Sequence, residues 1–485
     1  MPEPSHIRPH EEHAAAREIN WDDFRDHLST ADRQGRRRWL YPRKPSGTWH
    51  RRRAWFAAVL ILILFAGPWI RIDGNPLLLL DVVNRHFSIL GRIFWPQDTI
   101  VFAVAMLVFI TGIIIFTTAF GRLWCGWACP QTVMMEMVFR KIEYLIEGDA
   151  HEQRALDASP WNRRKLWKKS LKHAVFLALS FIVGNTLLAY IIGSERLLAI
   201  QLDDPRHHLA GLSFMALFTL LFYGIFARFR EQACTFICPY GRFQSAMLDE
   251  NSMVVAYDHR RGESRGPLRR DQTVEQRANT GLGDCVACRQ CVAVCPTGID
   301  IRNGTQMECV NCTACIDACD TVMDKVGRPR GLIRFASLNQ IERGGRQAFT
   351  ARMKLYAGVL AALVALFLFL VFTRAEVETT LLRAPGTLFQ QTPGGRLQNL
   401  YTLKVINKTS RDLAVELKLE NLPGSVRLMG ARDFIVPAAD LAQTSVLIEL
   451  DPAALTGGGT KLKLGVYSND RLLETVTTSF AGPRP

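Results

Sequence analysis

Acidic and basic residues are missing from five long stretches of this 485-residue chain, Ala54–Ile70, Thr99–Phe120, Ala174–Gly193, Leu209–Ala227 and Leu355–Thr373. A helix takes roughly 20 apolar residues to cross a bilayer. Five such runs argue against five buried core helices and predict five spans. Histidine is absent from spans one, two, four and five, and His173 sits only at the start of the third. A b-type haem within the bilayer takes histidine ligands on helices, so a haem-bearing quinol reductase is not expected. The first 50 residues lack the apolar core of about 7–15 residues that marks a cleavable leader. Cysteine is absent from the loops after spans one and three and from everything beyond span five.

The formal net charge is +14, and its location decides its meaning. Arg36, Arg37, Arg38, Arg43, Lys44, Arg51, Arg52 and Arg53 precede span one. Arg163, Arg164, Lys165, Lys168, Lys169 and Lys172 precede span three. The loops after spans one and three carry few basic residues. Lys and Arg collect on cytoplasmic loops, so the N-terminus, the 121–173 loop and the 228–354 segment are predicted cytoplasmic. The C-terminal residues then face outward. No nucleic-acid reader motif accompanies the charge, so no nucleic-acid partner is expected. All 12 cysteines fall on the predicted cytoplasmic side, where a reducing compartment keeps thiols and clusters intact.

Eight of them form two matched runs. Cys285, Cys288, Cys291 and Cys295, followed by Pro296, repeat as Cys309, Cys312, Cys315 and Cys319. This is the two-cluster ferredoxin spacing, in which the fourth cysteine of each run ligates the other cluster. Cys285, Cys288, Cys291 and Cys319 are therefore assigned to one [4Fe-4S] cluster, and Cys309, Cys312, Cys315 and Cys295 to the second. Structural zinc takes four ligands per site and gives no reason for the cross-ligating pattern. Asp320 stands where such runs often carry proline, which touches a turn and not a ligand.

The remaining four cysteines make C-x3-C-P twice: Cys125 and Cys129 before Pro130, and Cys238 after Cys234, before Pro239. Each pair follows a helical hairpin, as in a duplicated unit. Residues i and i+4 share one helix face, so each pair is expected to converge its sulfurs. The four thiols are candidates for three uses: a soft metal such as Cu(I), dithiol–disulfide cycling, or another redox cofactor. Met134, Met135 and Met137 are candidate thioether ligands, with core packing as the plainer reading. His86, His207 and His208 lie in outward loops, where exposure is the default.

Beyond span five, "YTLKVIN", "LAVELKLEN", "SVLIEL" and "KLKLGVYS" alternate polar and apolar residues between turn signals. That pattern predicts a β-sandwich without cysteines or a clustered acidic site, suited to docking a partner. The basic stretch "YDHRRGESRG" is either a strap holding the cysteine-rich module or a solvated linker. The expected architecture is a multidomain membrane protein. Its parts are a flexible basic N-terminus (1–50), four transmembrane helices of an α-helical bundle (51–250), a two-[4Fe-4S] ferredoxin-like insert (251–350), a fifth span (351–375) and the sandwich (376–485).

Several of these residues together resemble the cytochrome c oxidase accessory protein family of the CcoG/FixG/RdxA type, a group of membrane-bound 4Fe-4S polyferredoxins. The resemblance rests on "WCGWACPQT", "CPYGRFQSAM", "YDHRRGESRG", the eight-cysteine module and "MDKVGRPRGLIRF", and covers the chain from about residue 42. It implies an immunoglobulin-like C-terminal domain in the periplasm and residence in the bacterial inner membrane. It implies a role in assembling cbb3-type oxidases through reduction of Cu(II) to Cu(I), a cupric reductase activity. Oxidase assembly factors and copper chaperones are then the partners, with a cytoplasmic or quinol electron donor. Two other readings stay open: a general respiratory conductor between quinol and another reductase, and a non-catalytic redox-sensing scaffold. The sequence leaves the donor, the direction of electron flow and homodimer formation open.

Overall fold

The computed structural model describes residues 29–483, apart from 32–33, 35, 73, 82–85, 90, 96–97, 270–273, 346–348, 387–388, 431–433 and 456–458. The chain divides into two compact units. One comprises Met1–Leu62, Phe109–Gly184 and Ala216–Ala361; the other comprises Ile63–Val108, Asn185–Met215 and Ala362–Pro485.

Among the described residues, four helices are long and apolar enough to cross a membrane: Thr99–Phe120, Arg163–Ile192, Leu209–Phe229 and Ala351–Phe372. Phe109, Leu217 and Phe369 stand exposed along them, an arrangement that suits acyl chains and not water. The first two stop at Gly121 (φ 57°) and Gly193 (φ 85°). A glycine there lets the chain turn left-handed and leave the helix.

The expected span at Ala54–Ile70 is not among these four. Its helix runs Thr48–Ala66 and takes in Arg51, Arg52 and Arg53. The uncharged part, Ala54–Ala66, rises about 20 Å and the whole helix about 28 Å at 1.5 Å per residue, against a hydrocarbon core of ~30 Å.

In the first unit, strand Val254–Tyr257 pairs antiparallel with Ile333–Ala336. Val255, Ile299, Ile316, Met323 and Leu332 share one buried cluster with Cys285, Cys291 and Cys319. The "YDHRRGESRG" stretch acts as a strap. Asp258 accepts from Arg334 at 2.8 Å, and Arg261 donates to Asp284 at 2.5 Å. The turn expected at Asp320 is corrected: the residue lies within helix Ala314–Lys325 and accepts from the Gly331 amide at 2.9 Å.

The expected flexible segment 1–50 is also corrected in part; residues 1–28 lie outside the described residues. The stretch 36–50 is tied down. Arg43 donates its amide to Ala293, Tyr41 donates to Asp157 at 2.6 Å, and the Trp49 and His50 amides donate to Asp317 at 3.0 and 2.7 Å.

In the second unit the C-terminal residues form two antiparallel sheets. One runs Gly424–Met429, Leu441–Leu450, Leu397–Asn407, Val377–Arg383 in spatial order; the other runs Phe434–Val436, Leu413–Leu419, Gly459–Ser468, Arg471–Ala481. Leu397–Asn407 alternates buried and half-buried residues along most of its length, the period-2 signature of a sheet with one core face. Tyr401 is fully buried, and its hydroxyl donates to the Ser479 carbonyl of the other sheet at 2.9 Å. A second small sheet, Leu78–Asp81, His86–Ile89 and Arg92–Phe94, lies in the loop after the first helix.

Candidate functional site

The two four-cysteine runs share one backbone conformation. Ala287 and Arg289 in the first run have φ of 54° and 54°; Asn311 and Thr313 in the second have 53° and 67°. These pairs occupy equivalent places after the first and second cysteines of each run. Left-handed non-glycine residues are uncommon and persist where the surroundings demand them. Alternating handedness curls each loop so that successive amides and side chains face a common centre.

The thiols fall into two neighbourhoods. Burial, then the nearby Cys291, Cys285 and Cys288, pushes the Cys319 thiol up to about 12. Burial, then Cys295 and Cys312 among the neighbouring groups, pushes Cys309 up to about 12. Cys315 is raised by burial and by Cys312, Cys309 and Cys295. The amides of Thr297, Gly298 and Ile299 point at Cys295 and oppose the effect of its burial. A cavity is lined by Cys291, Cys295, Cys309, Cys312 and Cys315. Among the described residues, no three Cys, His, Asp or Glu side chains close on one point at metal-ligand distance, so the thiols are neighbours around a space. Crowded, desolvated thiols of this kind are costly to ionise alone and are relieved by a thiophilic cation. The donor set and the space fit iron–sulfur clusters.

The two C-x3-C-P elements are joined by contacts between their flanks. Arg122 donates from Nε to Gln244 at 2.8 Å and from Nη2 to the Gly241 carbonyl at 2.9 Å. The Cys125 thiol donates to the same Gln244 oxygen at 3.2 Å. Thr117 and Tyr240 share a hydrogen bond of 3.0 Å. Buried Glu143 takes both arms of Arg230, at 2.9 and 2.7 Å, and Arg140 lies between Glu136 and Glu231 at 3.2 and 3.6 Å. Burial alone would raise the Glu143 carboxyl, but Arg230 and Lys172 hold it below the usual carboxylate range. Phe139 stacks on Phe226 with centroids 4.3 Å apart.

These contacts bring the four thiols near one another. Burial pushes Cys234 up to about 12, with Cys129 and Cys125 adding to it and the Thr132 hydroxyl opposing. Burial raises Cys125 as well; Arg122 opposes, and Cys129 and Cys238 reinforce. The expected i, i+4 helix face is corrected. Cys125 lies in helix Leu123–Trp127, but Cys129 is extended (φ −61°, ψ 123°) ahead of Pro130. Cys234 lies in a π-helical turn, and Cys238 is extended (φ −75°, ψ 110°) ahead of Pro239. A residue before proline is driven out of the helical region, and proline opens the next helix. The second cysteine of each pair thus caps a new helix, where free amides favour negative charge.

Cys125 packs against a buried cluster made of Val294, Val310, Cys312 and Ala314. Trp127 donates its indole N–H to the Asn311 carbonyl at 3.3 Å, and Arg53 donates to the Gly126 carbonyl at 2.7 Å. A Cβ at Gly126 would collide with the Val310 carbonyl, so only glycine allows this close approach.

Of the candidate methionines, Met137 packs with Ala57 and Val133, and Met134 is buried. Met135 lines a cavity with Cys234. Sequence reasoning missed Arg122, Thr132, Gln244 and Met307. Thr132 and Gln244 stand inside the two quoted motifs and Arg122 two residues before the first, a signal that was available. His208 is held by Asp203 at 2.9 Å, a local surface contact.

Three family models match the chain. A 4Fe-4S dicluster domain covers 229–338, a 4Fe-4S binding domain covers 102–147, and an IG-like fold at C-terminal of FixG covers 367–483. Protein RdxA of Cereibacter sphaeroides is 35% identical over 447 residues, 88% of this chain and 92% of the relative. Nitrogen fixation protein FixG of Rhizobium meliloti is 35% identical over 430 residues, 80% of each chain. The crystal structure of a FixG-related protein from Vibrio parahaemolyticus is 23% identical, covers 22% of this chain and 95% of that one, and has a TM-score of 0.19.

Proposed function

This chain belongs to the FixG/RdxA family of iron–sulfur proteins, and from that premise we propose that it conducts single electrons to a copper ion held at the C-x3-C-P thiols. Cys285, Cys288, Cys291 and Cys319 hold one [4Fe-4S] cluster; Cys295, Cys309, Cys312 and Cys315 hold the second. Bound there, the clusters supply one-electron transfer. Cys125, Cys129, Cys234 and Cys238 receive Cu(II), and one electron converts it to Cu(I), which four soft ligands favour. Arg122 offsets the thiolate charge, and Gln244 fixes Cys125. The observation that carries the reading is the packing of Cys125 against the buried cluster that contains Cys312, which gives the two sites a common wall.

The basic flanks support a cytoplasmic face for the clusters. With Thr48–Ala66 and the turn up to Ile70 as a fifth crossing, the immunoglobulin-like sandwich faces the periplasm of an inner membrane. In that setting the Cu(I) produced serves assembly of a cbb3-type oxidase, passed on through copper chaperones. The reductant is a cytoplasmic or quinol donor.

One observation favours a second reading. The 4Fe-4S binding domain matched at 102–147 contains just two cysteines, Cys125 and Cys129. A cubane takes four, and Cys234 and Cys238 supply the others. On this reading the site carries a third cluster. Iron analysis separates the two, with about eight iron atoms per chain for the first and about twelve for the second.

The activity test reduces the anaerobic protein with dithionite, removes the excess, and mixes it with Cu(II). Cluster reoxidation matched by Cu(I) formation is expected. Cys125→Ser with Cys129→Ser should keep the absorbance of both clusters and lower the Cu(II) rate by at least about 100-fold. A rate equal to the parent's sinks the copper reading.

A further inference from the structure

A cavity in the first unit is lined by Met307, which is 51% exposed, by buried Met135 and by half-buried Cys234. Thr132 lines the same cavity. Three sulfur ligands therefore border one space, one of them at the protein surface and one deeply buried. Met135 lies in the π-helical turn Met134–Phe139, a distortion that recurs at functional sites because it redirects side chains out of the regular helical rows. Its neighbour Met137 packs into an apolar cluster; Met135 alone of the two borders the cavity. The carboxylates Glu136, Glu231 and Glu308 line it together with Arg122 and Arg230. Arg140 already pairs with Glu136 and Glu231, and Glu143 with Arg230, so the lining carries no excess charge of either sign and the thioethers, not the carboxylates, select the cation. Arg122 Nη1 and Gln131 Nε2 are buried there with no hydrogen-bond partner, which marks the space as polar and not a packing void.

We propose that this cavity is the exit for the reduced cation, with Met135 and Met307 as successive thioether stations for Cu(I) leaving Cys234. The inference rests on the copper reading above and adds the route and the oxidation state that travels it. Thioethers bind Cu(I) and discriminate against Cu(II), which prefers nitrogen and oxygen. Methionines therefore serve a product and not an incoming Cu(II) ion. Reduction at the thiols turns a cation that the methionines ignore into one that they accept. The exit then opens on the face that carries Met307 and Glu308, beside the loop of Cys309.

The test uses the full chain in lipid nanodiscs with clusters loaded. Met135→Leu and Met307→Leu conserve volume, so folding is retained; cluster absorbance verifies it. Met353→Leu, a buried methionine away from the cavity, is the control. Two rates are read after mixing the reduced protein with Cu(II): cluster reoxidation, and arrival of Cu(I) at an external chelator. The double variant should reoxidise at the parent rate and deliver Cu(I) about tenfold more slowly. A parallel arm loads Ag(I), a redox-inert mimic of Cu(I), and follows its release to glutathione, with the same slowing expected. Parent-like delivery of both ions by the double variant overturns the proposal, as does failure of the parent to bind Ag(I) at the four thiols. Clusters that ignore Cu(II) while Ag(I) release is slowed would remove the copper-reduction reading and leave the soft-cation passage standing.

Discussion

In the C-terminal sandwich, Tyr401, Leu403, Val405, Val446, Ile448, Leu464 and Val466 are wholly buried in one apolar cluster. In the eight-cysteine module, the buried set mixes Val255, Ile316 and Leu332 with Cys285, Cys291 and Cys319. The sandwich buries apolar area, each large side chain contributing about 1.5–3 kcal/mol. The module spends its interior on thiols raised by burial and mutual repulsion, and it holds four left-handed non-glycine residues in its loops. Those features oppose folding unless a cation takes the thiolates. The sandwich is built to stand on its own contacts, while the module waits on its cofactor.

The largest expected effect follows directly. Stripping iron with a chelator under reducing conditions, or substituting Cys312→Ser, should abolish amide-exchange protection in helix Ala314–Lys325. Protection in strand Leu397–Asn407 should stay unchanged. Equal loss in both, or in neither, would break the comparison. Next in size is Leu403→Ala in the sandwich, where removing a fully buried leucine costs about 3–5 kcal/mol. Denaturant unfolding of the strands should shift by that amount while the cluster absorbance does not move.

These differences also set what could be read from the sequence. "YTLKVIN" reveals its strand because side-chain period and sheet face coincide. The twin cysteine runs stand out because cluster chemistry fixes their spacing. The contacts that join the two C-x3-C-P elements are hidden for the opposite reason. Arg122 and Gln244, or Glu143 and Arg230, lie about a hundred positions apart and carry no periodic signal. The π-helical turns at Met134–Phe139 and Ala233–Ile237 have no composition that distinguishes them from α-helix. The helix Thr48–Ala66 misleads because Arg51, Arg52 and Arg53 read as a flank yet continue the helix, Arg53 buried against Gly126. The sheet at Leu78–Phe94 is built from strands of three or four residues, too short for alternation to register.

A smaller effect probes the exception within the second unit, a buried charge cluster beside an apolar core. Asp98 accepts from Arg374 at 3.1 and 2.5 Å and from Lys408 at 2.8 Å, and Lys408 also pairs with Glu378 at 2.9 Å. Arg374 follows the helix Ala351–Phe372, and Lys408 follows the strand Leu397–Asn407, so Asp98 joins a helix terminus to the sandwich. Burial alone would raise this carboxyl, but the hydrogen bonds from Lys408 and Trp95 and the charge of Arg374 hold it below the usual carboxylate range. A carboxyl whose folded value is depressed contributes stability above its unfolded value of roughly 3.9, and that stability fades as pH falls through the folded value. Asp98→Asn should therefore cost about 1–3 kcal/mol at pH 7, since Lys408 keeps Glu378 while Arg374 loses its partner. Its cost should be flat from neutral pH down to about pH 5 and shrink below pH 4. Amide exchange at Asn407 and Lys408, followed across that range in parent and variant, measures it. A cost that grows on acidification would mean that Asp98 is held protonated, and the charge cluster would then be no clamp.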